Sequence, residues 1–167
     1  MIYLWTGKGA GKTTSALGVA LRAIGHKKKV VVIQFMKGRK NIGEYKIRKK
    51  LKPYYEIYQF GRKGWVNLKN PSIEDKKRAM EALDFVEKKI KEKPFLLILD
   101  EINLACAIGL INTKDVLKLL KRADKSINIY LIGRYAPKEL INIADFVNEI
   151  KEVKHPKKWK AKIGIEY

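Results

Sequence analysis

The run Tyr3-Leu4-Trp5-Thr6-Gly7-Lys8-Gly9-Ala10-Gly11-Lys12-Thr13-Thr14 constrains the chain more than any other stretch. An apolar segment leads into three alternating glycines, and a Lys-Thr-Thr then opens a helical pattern. That order suits a phosphate cradle. A strand delivers the loop, glycines let backbone N–H groups converge, and the first helical turn adds its own free N–H groups and the positive end of the helix dipole. Gly7 through Gly11 with Thr14 form the cradle, Lys12 supplies a mobile point charge, and the Thr13 hydroxyl suits Mg²⁺. Thr6 stands where the general pattern G-x-x-x-x-G-K-[ST] has glycine, so the alternative is a plain glycine-rich turn. The flanking strand and helix favour the nucleotide site.

The rest of the chain alternates strands and helices. Strands are predicted over 1–5, 30–35, 54–60, 95–99, 127–132 and 146–153, with helices over 13–24, 41–51, 114–122 and 137–143 and a long one opened by the N-cap Ser72. In the first helix, Leu17, Val19, Ala20, Leu21 and Ile24 are expected to face the core, with Gly25 as C-terminal cap. Thr113 is the expected cap of the helix over 114–122. Val30–Phe35 and Phe95–Leu99 are continuous apolar runs, as strands buried on both faces require. The pattern predicts one α/β domain over 1–167, a mostly parallel sheet with helices on both faces. Ligands in such sheets lie at the C-terminal strand ends, where Gln34, Lys37, Asp100, Glu101 and Arg134 fall.

Asp100-Glu101 after Leu96-Leu97-Ile98-Leu99 is a Walker-B-type signal. One carboxylate can hold Mg²⁺ opposite Thr13, directly or through water; the other orients an attacking water or completes the metal site. A helix-capping acidic pair is the alternative. Arg134 is expected to stabilise a polyphosphate, with a place at the end of a helix dipole as the alternative. Trp65, in the irregular stretch 61–71, suits either stacking on a planar ligand or packing in a lid or core.

Composition narrows the partners. The formal charge is +20, yet only seven of the 37 basic residues are Arg. The lysines are spread through the chain, which favours a solvated basic surface over a nucleic-acid reader. The single cysteine, Cys106, excludes an internal disulfide and reads as a buried core thiol. No apolar run long enough to span a membrane and no leader pattern are evident, so a reducing cytoplasm is expected.

Taken together, several pieces resemble the P-loop corrinoid adenosyltransferases. These are 6–18 with Leu21-Arg22-Ala23-Ile24-Gly25-His26, then Gln34-Phe35-Met36-Lys37-Gly38 with Gly43-Glu44, then Leu99-Asp100-Glu101-Ile102-Asn103 and Gly133-Arg134-Tyr135-Ala136-Pro137. Lys154-His155-Pro156 and the closing Gly164-Ile165-Glu166-Tyr167 complete the match over the whole chain. The resemblance implies a RecA-like P-loop fold. It also implies transfer of the 5′-deoxyadenosyl group of ATP to the Co(I) of a reduced corrinoid, either cob(I)alamin or cob(I)yrinic acid a,c-diamide, with triphosphate released. It makes Lys12, Thr13 and Glu101 the catalytic set, Thr13, Glu101 and Asp100 the Mg²⁺ ligands, and Arg22, Lys37, Asn103, Arg134 and Trp65 further binding residues. In that family ATP lies reversed in the P-loop. A homodimer and an electron-donating flavoprotein are implied as partners.

Departures from the family pattern carry expectations of their own. Ala10 replaces a usual lysine, and Lys8 is expected to restore the charge. Gly64-Trp65-Val66-Asn67 resembles a shorter variant of an aromatic segment that helps displace the corrinoid's lower ligand. The N-terminal extension that some relatives fold over the site has no expected counterpart. Two alternative activities stand beside the transferase: a P-loop ATPase acting on nucleic acid, and a nucleotide- or corrinoid-binding module without turnover.

Overall fold

The computed structural model describes residues 1–64 and 66–167. Trp65, and with it the choice between stacking on a ligand and packing in a lid or core, lies outside the described residues. Six strands form one sheet: β1 (Ile2–Thr6), β2 (Val30–Phe35), β3 (Tyr55–Phe60), β4 (Leu96–Asp100), β5 (Asn128–Ile132) and β6 (Phe146–Glu149). Their order is β3-β2-β4-β5-β1-β6, and every pairing is parallel. Each connection therefore has to cross over a face of the sheet. The helices α1 (Lys12–Gly25), α2 (Gly43–Lys46), α3 (Ile73–Lys91), α4 (Ile102–Ala107), α5 (Thr113–Arg122) and α6 (Lys138–Ile143) lie within these connections.

β2 and β4 are buried at every residue, which explains their unbroken apolar sequences. On one face, α3 to α6 pack Val86, Ile102, Val116 and Leu140 against Val31, Ile33, Leu97 and Leu131. On the other, α1 lays Ala16, Ala20 and Ala23 against Val30, Val32, Leu96 and Ile98. Small side chains let α1 lie close to the sheet as it crosses β5, β4 and β2. That crossing solves a problem of distance. β5 separates β1 from β4, a gap of about 10 Å, yet the N-terminus of α1 still reaches the end of β4.

Several predicted details are corrected. Leu21 is off the alanine stripe and 64% exposed. Gly25 is the last residue of α1, and the left-handed position falls instead at Lys27 (φ 55°). There the Lys28 and Lys27 N–H groups bond the Ala23 and Ile24 carbonyls in a Schellman turn. The helix predicted over 41–51 breaks into α2 and a 3-10 turn at Ile47–Lys49, because neither piece has a buried face to hold it. Asn112, not Thr113, caps α5, its side chain accepting from Lys114 N–H at 2.9 Å. β6 ends at Glu149, short of the predicted 153, because its neighbour β1 turns away into the glycine loop at Gly7. α4 had no counterpart in the sequence reading.

Ser72 caps α3 as predicted, in a reciprocal capping box with Asp75. Cys106 is buried, and burial raises its thiol pKa to about 11. Among the described residues no helix is long and apolar enough to cross a membrane.

Candidate active site

The glycine loop turns sharply off β1. Gly7 has φ 98°, and a Cβ there would lie 2.3 Å from the Ile150 carbonyl oxygen, so only glycine fits. Gly9 donates its N–H to that same carbonyl at 2.9 Å. Lys12 is buried, and its ammonium donates to the Gly7 and Gly9 carbonyls at 2.8 and 2.5 Å. Burial, and then the nearby charge of Arg134, pulls the Lys12 pKa below its ordinary value, while Glu101 and Asp100 pull the other way. Lys8 and Ala10 are exposed on the rim of the loop.

One step along α1, the Thr13 hydroxyl donates to Asp100 Oδ1 at 3.0 Å. Asp100 is fully buried, and its other oxygen accepts from Gln34 Nε2 at 3.0 Å and Lys37 Nζ at 2.6 Å. Lys37 also donates to Thr13 Oγ1 at 3.2 Å, so one ammonium sits on both groups that Walker-type chemistry assigns to a metal. Burial lowers the Lys37 pKa, but Asp100 and Glu101 outweigh it and hold the ammonium above its ordinary value.

Glu101 differs from its neighbour. It takes the left-handed backbone (φ 65°) at the start of α4 but caps nothing with its side chain, which answers the capping alternative. Its Oε2 is buried without a hydrogen-bond partner. Burial, then Asp100, raises its pKa, against the opposing charges of Lys37, Lys12 and Arg134. A saturated Asp100 that accepts from the Thr13 hydroxyl, followed by a Glu101 with one unpartnered oxygen, is a hard-oxygen donor set that fits Mg²⁺. Such an ion takes one or two carboxylates and draws its other ligands from water and phosphate. No group of three His, Cys, Asp or Glu side chains that could hold a metal ion occurs among the described residues.

The remaining predicted residues divide. Arg134, exposed beyond β5, acts electrostatically on both Lys12 and Glu101. Asn103 is fully buried, with its Oδ1 lacking a hydrogen-bond partner. Its amide spans the Trp5, Leu131 and Gly133 carbonyls at 3.2, 3.4 and 3.3 Å, tying together the ends of β1 and β5. Arg22 is exposed and ten residues beyond Lys12 on α1, about 15 Å along the axis and outside this cluster.

Further side chains join the cluster around Asp100 and the glycine loop. Gln34 links Asp100 to Glu44, and Gln59 donates to Gln34 Oε1 at 2.9 Å. Thr6, the departure from the general motif, accepts from Ala136 N–H at 3.2 Å and tethers the Arg134 loop to β1. The apolar run around Gln34 was the available signal, since an amide in a strand buried on both faces needs polar partners.

A family described as ATP:corrinoid adenosyltransferase BtuR/CobO/CobP matches residues 1–167. The corrinoid adenosyltransferase of Escherichia coli K12 is 31% identical over all of this chain and 85% of its own length. That of a Sinorhizobium species is 33% identical over all of this chain and 80% of its own. Corrinoid adenosyltransferase CobA of Salmonella typhimurium is 32% identical over all of this chain and 85% of its own. Among solved structures, a KaiC-like protein from Pyrococcus horikoshii OT3 aligns with TM-score 0.58 at 14% identity, over 94% of this chain and 74% of that one. At that identity the likeness concerns the fold, which is the RecA-like P-loop layered fold.

Proposed function

This chain belongs to the ATP:corrinoid adenosyltransferase family, and on that premise we propose that it transfers the 5′-deoxyadenosyl group of ATP to the cobalt of a reduced corrinoid. The observation that carries the reading is the family match across the whole chain, residues 1–167. The reaction needs no protein nucleophile. The Co(I) substrate donates an electron pair to C5′, the C5′–O5′ bond breaks, and that pair leaves on triphosphate as cobalt becomes Co(III)-alkyl.

The protein's tasks are then to hold ATP with C5′ facing the acceptor and to stabilise charge gathering on the leaving group. The loop N–H groups, Lys12 and Arg134 suit the second task. Mg²⁺ would be held by Thr13 and Glu101, with Asp100 behind them, and would supply Lewis-acid neutralisation of the triphosphate. Lys12 would exchange the Gly7 and Gly9 carbonyls for phosphate oxygens. Lys8 would add the charge lost at Ala10, and Lys37 would stand beside the phosphates. The full reading is a single domain acting as a homodimer in the cytoplasm, with a flavoprotein as electron source.

The test is anoxic incubation with ATP, Mg²⁺ and chemically reduced cobalamin, following the corrinoid spectrum and the released phosphates. The expected result is a light-sensitive adenosylated product with one triphosphate per turnover. Orthophosphate without a cobalt–carbon bond would overturn the proposal, and stimulation by nucleic acid would then point to a motor. Binding of both ligands without transfer would point to a carrier.

A further inference from the structure

The segment 150–167 carries two of the motifs that mark the family, yet the phosphate chemistry uses neither. Its path suggests a different task. At its start it is pinned to the glycine loop, with Ile150 N–H donating to the Thr6 carbonyl at 2.9 Å and the Ile150 carbonyl accepting from Gly9. At its far end Trp159, Ala161 and Tyr167 line a cavity of about 350 Å³ with Met36, Lys37 and Ile42, beyond the C-terminal end of β2. β5 and β4 lie between β1 and β2 in the sheet, so the segment crosses about 14 Å of the site's mouth. A closing turn fixes its end: Lys162 N–H donates to Glu166 Oε2 at 2.6 Å, and Gly164 N–H to the Tyr167 carbonyl at 2.7 Å.

We propose that this crossing segment walls the binding cavity for the corrinoid acceptor, and that Trp159 is the surface against which the macrocycle lies. The inference rests on the transferase reading and adds the place and the residues of the second substrate. Three observations support it. Lys37 belongs both to the cavity and to the Thr13–Asp100 cluster, so a ligand here lies directly beside the phosphate site. In-line displacement needs the acceptor on the side of C5′ away from the departing triphosphate, so its cavity has to lie within a nucleoside's reach of the phosphate site.

The walls also suit a corrinoid. Met36, Ile42 and Trp159 are apolar, while Arg39 and Lys63 stand at the rim with Glu44 and Glu166. A second cavity shares Arg39 and Lys63 and adds Lys40. A flat apolar ring carrying amide and carboxylate arms meets both kinds of surface. Finally, Trp159 serves no core: it is 56% exposed, and its ring contact is edge-on to His155 at 5.9 Å. An indole that lines a cavity offers a flat apolar face to a planar ligand.

The experiment compares wild type, Trp159→Ala and Trp159→Phe. Steady-state kinetics varies reduced cobalamin and ATP separately, and calorimetry measures MgATP affinity without corrinoid. The expected result for Trp159→Ala is a KM for cobalamin raised about tenfold, with MgATP affinity unchanged and most of the loss restored by phenylalanine. An unchanged cobalamin KM would overturn the proposal. Weakened MgATP affinity would also overturn it, because the cavity would then hold adenine. If wild type forms no cobalt–carbon bond, the transferase reading itself fails. Retention of cobinamide in ultrafiltration then tests the cavity alone: weaker retention by Trp159→Ala supports it, and equal retention overturns it.

Discussion

Asp100 and Glu101 are adjacent, of one charge and equally suggestive in the sequence, but they are unlike in the fold. Asp100 accepts from Thr13, Gln34 and Lys37 and is buried, whereas a Glu101 oxygen is buried with no partner. Their substitutions should therefore separate. Glu101→Gln should reduce adenosyl transfer by about 100-fold and weaken Mg²⁺-dependent ATP binding. It should leave stability unchanged or improved, since an uncompensated buried carboxylate is itself costly. Asp100→Asn should lose activity and also about 2–3 kcal/mol of stability, because it leaves Lys37 without its buried counter-charge. Urea unfolding alongside the transfer assay checks both; equal stability losses would contradict the assignment. The glycine loop was legible because a local spacing encodes it. The division of labour between the two carboxylates was not, because Gln34 and Lys37 reach Asp100 from another strand. Nor does sequence alone reveal that Asn103 spends its amide on three backbone carbonyls.

At the scale of elements, α3 is stapled to the sheet by ion pairs away from the site. Lys89 and Lys29 bridge Glu56 on β3 and Glu92 at the end of α3, with contacts of 2.7 to 3.1 Å. Burial alone would raise the Glu56 carboxyl, but hydrogen bonds from Lys89, Tyr58 and Lys29 hold it near a pKa of about 2. Because the folded value is depressed, the stabilisation is full above the ordinary carboxylate range. It is lost as pH falls from about 4.5 toward 2. With solvent screening it amounts to about 1–2 kcal/mol. Glu56→Gln should lower unfolding free energy by that amount at pH 7, and the gap from wild type should close by about pH 2; denaturant titrations across this range measure it. Most strands were legible from apolar runs, and α3 from its Ser72 cap. The exceptions have physical causes: β6 stops where its partner turns away, and the stretch 41–51 has charge on every side.

For the molecule as a whole, the formal charge is +20 with its lysines spread along the chain, a strong positive field around the proposed phosphate site. Such a field raises the encounter rate of ATP and is screened by salt. Association of a fluorescent ATP analogue, followed by stopped flow, should slow by about tenfold between 50 mM and 500 mM NaCl, with dissociation changing far less. A salt-independent association rate would show that the charge has no steering role. The layered α/β class was legible from the alternation of elements. The strand order, and the return of residues 150 and 151 onto the first loop, were not, since no local pattern records which distant segments meet.

That return has a consequence in time. Gly7 and Gly9 are made well before Ile150 and Lys151, whose backbone closes over them. During synthesis at roughly 5–20 residues per second, the glycine loop waits on the order of 10 s for its outer wall. A nascent chain therefore carries the glycine motif long before its outer wall exists, and a chain released in between has the signature without the enclosure.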